Sequence, residues 1–409
     1  MESVLKILCL CFYFKPDLSA GSFKNSALVH ELSAQVPEGS EVTVIATLPN
    51  RYASFDVSAP AYEQHGNVHI HRLQLPGHQS GMLDQSRAFL SYARGVMRLA
   101  NRQHFDLVYA SSSRLMMSVL GAWVSKRQNI PLYLDIRDLF LDTIKEVLPG
   151  KLTLLAMPVF AVLEKWAIRR ASHVNVVSGG FVPYFTRNYP EVQLSQFTNG
   201  IDQEFLDAAP AESRTIDKTI SEVLYAGNMG EGQGLHHIIS GLAKQFEGRL
   251  NFRLVGAGGR QAQLQQALQA AGVTNVTVQP PVSREVLVGL YDQADILFLH
   301  LNDFDAFKKV LPSKIFEYGA LGKPVWAGVG GYAAEFIQEN LDNSAVFSPC
   351  DIAAATKAFE TLEMKVAPRK EFVAKFSRHA IINRMAKEII SFAAPAQVGS
   401  DNKLKSGVE

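Results

Sequence analysis

Residues 311–325, reading Leu-Pro-Ser-Lys-Ile-Phe-Glu-Tyr-Gly-Ala-Leu-Gly-Lys-Pro-Val, hold the densest set of groups able to do chemistry. They parse as a short helix with both ends marked. Pro312 suits a first helical turn, where its missing N–H leaves nothing unpaired. Gly322 suits the left-handed position just past the end, and Pro324 blocks further helix. In that frame the amides of Ser313, Lys314 and Ile315 point out of the N-terminus. Free amides and the helix dipole make an anion site, to which Ser313 and Lys314 add a hydroxyl and a cation. Glu317 follows Ser313 by four residues and so shares its face one turn deeper. A carboxylate there can accept from two hydroxyls of a ribose while the helix end holds a diphosphate. A surface helix with an incidental glutamate accounts for the segment equally well.

Glycine turns supply further candidates. Residues 225–234, Tyr-Ala-Gly-Asn-Met-Gly-Glu-Gly-Gln-Gly, place four glycines between an apolar strand and a helical pattern starting at Leu235. Gly227, Asn228 and Gln233 lie in this turn. Glycines let backbone approach a phosphate closely, but no Gly-Lys-Ser/Thr follows and the dinucleotide spacing is not met. A plain flexible turn competes with the phosphate reading. Gly256 opens a third glycine turn, and Val282 precedes Ser283, a natural N-cap, where backbone can meet a base edge. In the first half, Gly21 lies where the first strand passes into a helix. Asp135, Arg137 and Asp138 crowd the end of an apolar strand, the end at which ligands gather in parallel sheets. Mutual salt bridges among the three are the structural alternative. His69/His71 and His236/His237 have no matching carboxylate or cysteine cluster, so no metal site is expected. No Gly-x-Ser-x-Gly elbow and no kinase signature occurs.

The elements that must position these residues come in two series. Short apolar runs at 5–10, 41–47, 68–73, 107–110, 132–136 and 174–177 alternate with helical patterns at 23–34, 86–102 and 115–128. A second series has strands at 223–226, 252–255, 276–279, 296–299, 324–327 and 345–347. This alternation predicts an α/β fold of two Rossmann-like domains with a cleft between them. The polar stretch 207–218 reads as the linker. The expected division is residues 1–206, then 207–372, with a helix at about 373–393 packing back on the first domain. Residues 394–409 read as a disordered tail.

Composition narrows the class. The 409 residues are 47% hydrophobic and 19% charged, enough for two packed cores. Forty basic and 39 acidic residues leave a net charge of +1, which argues against a nucleic-acid binder. Cys9, Cys11 and Cys350 form no disulfide or metal pattern. The apolar run before Lys15 is too short to span a membrane and lacks a cleavage site, which leads to the expectation of a cytoplasmic protein. The apolar stretch 152–163 contains Pro158 and reads either as a core helix or as a surface resting on the inner membrane.

These residues together resemble the GT-B glycosyltransferases of family four, the retaining nucleotide-sugar enzymes of bacterial surface-polysaccharide assembly. The resemblance covers roughly residues 5–390, and residues 312–325 look like the family's donor-site helix. Support comes from Leu254-Val255-Gly256-Ala257-Gly258, from Ala294-Asp295-Ile296-Leu297 and from Thr198-Asn199-Gly200-Ile201-Asp202, which is similar to the family's interdomain element. Arg137-Asp138-Leu139 looks like the branch that transfers amino- or deoxysugars of the N-acetylfucosamine type. The resemblance implies a retaining transfer from a nucleotide diphosphate sugar, UDP-linked, to a glycan acceptor, lipid-linked, in O-antigen or capsule synthesis. It implies no cofactor and no nucleic acid. Lys314, Glu317, Arg137 and Asp138 would act on the reacting groups. Gly21, Gly227, Asn228, Gln233, Gly256, Val282, Ser313, Ile315 and Glu335 would hold the nucleotide sugar, with Glu317 on the ribose. The chain departs from the family where Lys309 stands for the first glutamate of the Glu-x7-Glu motif, with Asp303 or Asp305 as substitutes, and where Asn228 and Gln233 replace a phosphate-binding Arg/Lys pair. A nucleotide-sugar epimerase of the same fold and a non-catalytic nucleotide-sugar binder are the alternatives.

Overall fold

The computed structural model describes residues 3–17, 19–49, 58–76, 82–147 and 150–393. The expected tail at 394–409 lies outside the described residues. The first sheet contains β1 (Lys6–Cys11), β2 (Glu41–Thr47), β3 (Tyr62–His65), β4 (Val68–Leu73), β5 (Leu107–Ser112), β6 (Leu132–Ile136), β7 (His173–Val176) and β8 (Leu194–Ser195), in the order β3-β4-β2-β1-β5-β6-β7-β8. A short ribbon pairs β9 (Arg214–Thr215) with β16 (Lys365–Val366). The second sheet contains β10 (Ser221–Ala226), β11 (Leu250–Val255), β12 (Val276–Gln279), β13 (Ile296–His300), β14 (Val325–Gly328) and β15 (Ser344–Phe347), in the order β12-β11-β10-β13-β14-β15.

The apolar runs become strands because helices cover both faces of each sheet. Strands β5 and β6 are buried at every position, as parallel interior strands require. Cys9 and Cys11 point into one core, and burial pushes the Cys9 thiol up to about 12. Strand β3 is absent from the sequence reading. It runs antiparallel on the sheet edge, and its Tyr-Glu-Gln-His sequence is mostly exposed, so hydrophobic patterning gives no signal there.

Both sheets reverse direction beside their first strand, between β1 and β5 and between β10 and β13. Such switch points open crevices at strand ends, and the Gly21 and Gly227 turns leave from β1 and β10. The helix Arg378–Ala393 returns to the first core with Ile382, Met385 and Ile389, and Asn383 donates to Glu31 at 2.6 Å. The crossing is tied at Ile201, whose amide donates to Phe376 O at 2.8 Å and whose carbonyl accepts from Arg378 N at 2.9 Å. Gly200 sits at φ +72°, and a Cβ there would meet Arg378 Cα at 2.8 Å, so the Asn-Gly-Ile-Asp element needs its glycine twice over.

The helix Gly150–Arg170 continues through Pro158 and exposes Val159 and Val162. The side chains at 152–155 lie outside the described residues. Among the described residues, no helix is long and apolar enough to cross a membrane.

Candidate active site

A cavity of about 250 Å³ lies between the two domains. The first domain supplies Ser19, Ala20 and Phe23. The second supplies Gly227, Asn228, Gly256, Val282, Ser313, Lys314 and Glu317. A neighbouring cavity of about 360 Å³ shares Ser19, Ala20 and Ser313 and adds Gly21, Arg137 and Asp138. Candidates spread over three hundred residues of sequence thus meet in one crevice.

The helix Lys314–Ala320 sets the centre of the site. Ile315, Phe316 and Tyr318 are buried in the second core, which leaves Lys314 and Glu317 on the cavity side. The Ile315 amide differs from expectation. It donates to Pro312 O at 3.1 Å, so the first turn consumes it, while the Ile315 side chain is fully buried. The amides of Ser313 and Lys314 have no acceptor among the described residues. The Lys314 ammonium also lacks a hydrogen-bond acceptor among them and lies against Gly227. Burial lowers its pKa, Glu317 opposes the shift, and Arg284 adds to it. Glu317 Oε2 accepts from the buried Tyr291 hydroxyl at 2.8 Å, which fixes the carboxylate and leaves Oε1 for a ligand.

The glycine turns press against each other. A Cβ on Gly256 would meet Gly227 O at 1.8 Å, and one on Gly258 would meet Met229 C at 2.4 Å. Gln233 does not line the cavity. Its Oε1 accepts from Asn228 Nδ2 at 2.7 Å and from Gly230 N at 3.2 Å, so it braces the turn that presents Asn228. Glu335 is also outside both cavities, exposed on the helix Tyr332–Asn340.

On the first-domain side, Arg137 donates to Asn199 Oδ1 at 2.9 Å and reaches Asp135 at 3.4 Å. Asp135 is fully buried and also receives Lys24 at 2.9 Å and Tyr109 at 3.1 Å. The Asp135–Arg137 pairing therefore exists, while Asp138 is exposed at the cavity rim.

Lys309 points away from both cavities and bonds Asp142 across the domains at 2.6 Å, while its carbonyl accepts from Ser178 at 2.6 Å. Asp303 and Asp305 do not take the missing glutamate's place: they sit outside, 61% and 89% exposed, beside Lys308.

Sequence reading missed two arginines. Arg284 and Arg378 both line the first of these cavities and both pair with Asp202. Arg284 also stacks over the Phe23 ring at 4.1 Å, joining the domains across the crevice. The Ser283 N-cap marks Arg284's helix, but nothing in the sequence brings Arg378 to the site. The histidine pair at 236/237 does have a carboxylate beside it after all. Glu231, His236 and His237 place ligand atoms within 4.8 Å of one another, although Arg260 already pairs with that carboxylate.

Comparison with known proteins accords with this geometry. Residues 26–200 match the model of the glycosyl transferase 4-like domain, and residues 211–378 match that of glycosyl transferases group 1. A 100-residue stretch is 35% identical to an Escherichia coli (strain K12) protein carrying the name colanic acid biosynthesis glycosyl transferase WcaI; it covers 24% of this chain and 24% of that relative, about a quarter of its length. Sucrose-phosphate synthase of Thermosynechococcus elongatus has the same architecture, with a TM-score of 0.73 at 16% identity over 95% of this chain and 98% of that one. Anabaena HepE, solved with UDP and glucose, gives a TM-score of 0.66 at 17% identity over 95% and 100%. The chain is therefore a glycosyltransferase of the GT-B fold, a glycosyl transferase 4-like domain followed by a group 1 domain.

Proposed function

We propose that this protein transfers a sugar, with retention, from a UDP-linked amino- or deoxysugar to a lipid-linked glycan acceptor in surface-polysaccharide synthesis. One observation carries the donor assignment: Lys314 and Glu317 leave one short helix on the same side and line the interdomain cavity with Gly227, Gly256 and Val282. Glu317 would accept from the ribose, and backbone near Val282 would meet the base. Ser313, Lys314 and Asn228 would hold the diphosphate. As the glycosidic bond breaks, charge grows on the leaving diphosphate, and the Lys314 ammonium with the two unpaired amides is aimed at it. A guanidinium offers a planar fork of N–H donors and no acceptor, so the role of Arg137 would be recognition of phosphate or sugar rather than proton transfer. Retention rests on the family resemblance, and the name of the WcaI relative supports the polysaccharide setting.

The test is thermal stabilisation by UDP, ADP and GDP and their sugars, followed by nucleoside diphosphate release with a glycan acceptor. Stabilisation by UDP and acceptor-dependent release are expected. No nucleotide binding, or unchanged donor affinity in Glu317→Ala, would overturn the assignment. Lys309 favours one second reading, a nucleotide-sugar binder without turnover, because the sugar-contact position is spent on Asp142. Donor binding with no release across acceptors would favour it. Rearranged free donor without acceptor would instead indicate an epimerase.

A cytoplasmic protein seated on the inner membrane fits the exposed Val159, Val162 and Trp123 on two packed helices. Val162→Glu should release the protein from anionic vesicles; undiminished binding would refute the seat.

A further inference from the structure

We propose that the cavity beside Gly21 and Arg137 binds an anionic group, a phosphate or a carboxylate, carried by the acceptor. The proposal rests on the donor assignment above, which places the nucleotide in the neighbouring cavity.

The argument begins with an unbalanced charge. At the end of β6, Lys24 and Arg137 share one carboxylate, Asp135, at 2.9 and 3.4 Å. The side chains of Lys24 and Asp135 are 0% exposed and that of Arg137 is 9% exposed. The remaining partners of Asp135, Tyr109 and Asn175, are neutral. Two cations against one anion leave a surplus positive charge in largely buried surroundings. Such a surplus is costly until an anion compensates it.

The surplus has an open side. A Cβ on Gly21 would sit 3.5 Å from Arg137 Nε, so the glycine leaves that edge of the guanidinium facing the cavity. A second cation lines the same space. Arg114 has no carboxylate partner among the described residues; it is held over the Phe12 ring at 5.2 Å and donates to Tyr13 Oη at 3.4 Å. Asp138 offsets one charge from the exposed rim, and a net positive charge remains. Guanidinium groups bind phosphates and carboxylates through paired N–H donors.

The two cavities meet at a wall that includes Ser313, but their cations differ. Lys314 and Gly227 line the donor-side cavity, whereas Arg114 and Arg137 line only the other one. At about 360 Å³ the second cavity has the size of a small-ligand site.

The experiment titrates UDP-saturated protein with glucose 6-phosphate, glucuronate and glucose, read by calorimetry. At least one anionic sugar should bind tenfold or more tighter than glucose, and the two anionic arms tell phosphate from carboxylate. Arg114→Gln should cut that preference below threefold with UDP affinity unchanged, and Arg114→Lys should retain part of it. The proposal is overturned if glucose binds as tightly as both anions, if neither anion binds, if UDP and the anion compete, or if Arg114→Gln keeps the preference. If UDP itself fails to bind, the donor assignment falls instead, and the anion preference is then read on the free protein.

Discussion

The Lys314 ammonium occupies the space a side chain on Gly227 would need: a Cβ there would meet Lys314 Nζ at 2.7 Å and Cε at 2.5 Å. The two residues come from different glycine-flanked segments of the second domain, and each limits the other. Gly227→Ala should therefore act like a partial loss of Lys314. Losing one charge-assisted contact costs about 1.5–3 kcal/mol, so UDP affinity should fall roughly 10- to 100-fold in Lys314→Ala and by a similar direction and smaller amount in Gly227→Ala. Calorimetry with UDP checks both. Wild-type product inhibition by UDP in Lys314→Ala would remove this lysine from the diphosphate site.

Glu317 has a structural partner as well as a proposed ligand. Glu317→Ala strands the Tyr291 hydroxyl in a buried site, and an unpaired buried donor costs about 1–3 kcal/mol. Stability and donor binding should both drop. Glu317→Gln keeps an acceptor for Tyr291, so its melting temperature should stay close to wild type while donor affinity still falls. Equal losses of stability in the two variants would show that the carboxylate is not held through Tyr291.

The Lys309–Asp142 pair joins the domains at 2.6 Å, with Lys309 40% exposed. An ion pair of that exposure is worth about 0.2–1 kcal/mol. Lys309→Glu should loosen the contact by that order, and Lys309→Glu with Asp142→Lys should restore it. The double-mutant cycle is read by urea denaturation, and a coupling near zero would mean that the pair contributes nothing to domain contact.

The Lys24 network makes a pH prediction. Burial lowers the Lys24 ammonium from 10.5 to about 8, against the pull of Asp135 and with Arg137 lowering it further. Between about 8 and 10.5 the unfolded chain therefore binds more protons than the folded one, and this group makes stability rise with pH. Below about 8 both states carry the proton and its contribution is flat. The difference in unfolding free energy between wild type and Lys24→Met should grow in favour of wild type from pH 8 to 10, by at most about 1.4 kcal/mol per pH unit. A pH-independent difference would contradict the buried surplus charge.

Much was written locally. The two series of apolar strands, the glycine turns after β1, β10 and β11, and a short capped helix with Lys314 and Glu317 follow from hydrophobic patterning, from Gly and Pro at helix ends and from four-residue spacing. Each of these signals lives within a few residues, where backbone sterics and burial dominate. Other features were decided only by packing. Ile315 loses its amide to Pro312 once the first turn tightens. Gln233 turns inward because Asn228 and Gly230 offer it donors. Arg378 reaches the crevice only because the final helix crosses back at Ile201, and Lys309 is drawn to Asp142 from a domain 167 residues away. The sequence determined which groups could bind a phosphate and a ribose, since that depends on residue type and local geometry. The tertiary structure decided which of them share a cavity and which charges stay unbalanced, since partners distant in the chain meet only when both cores close.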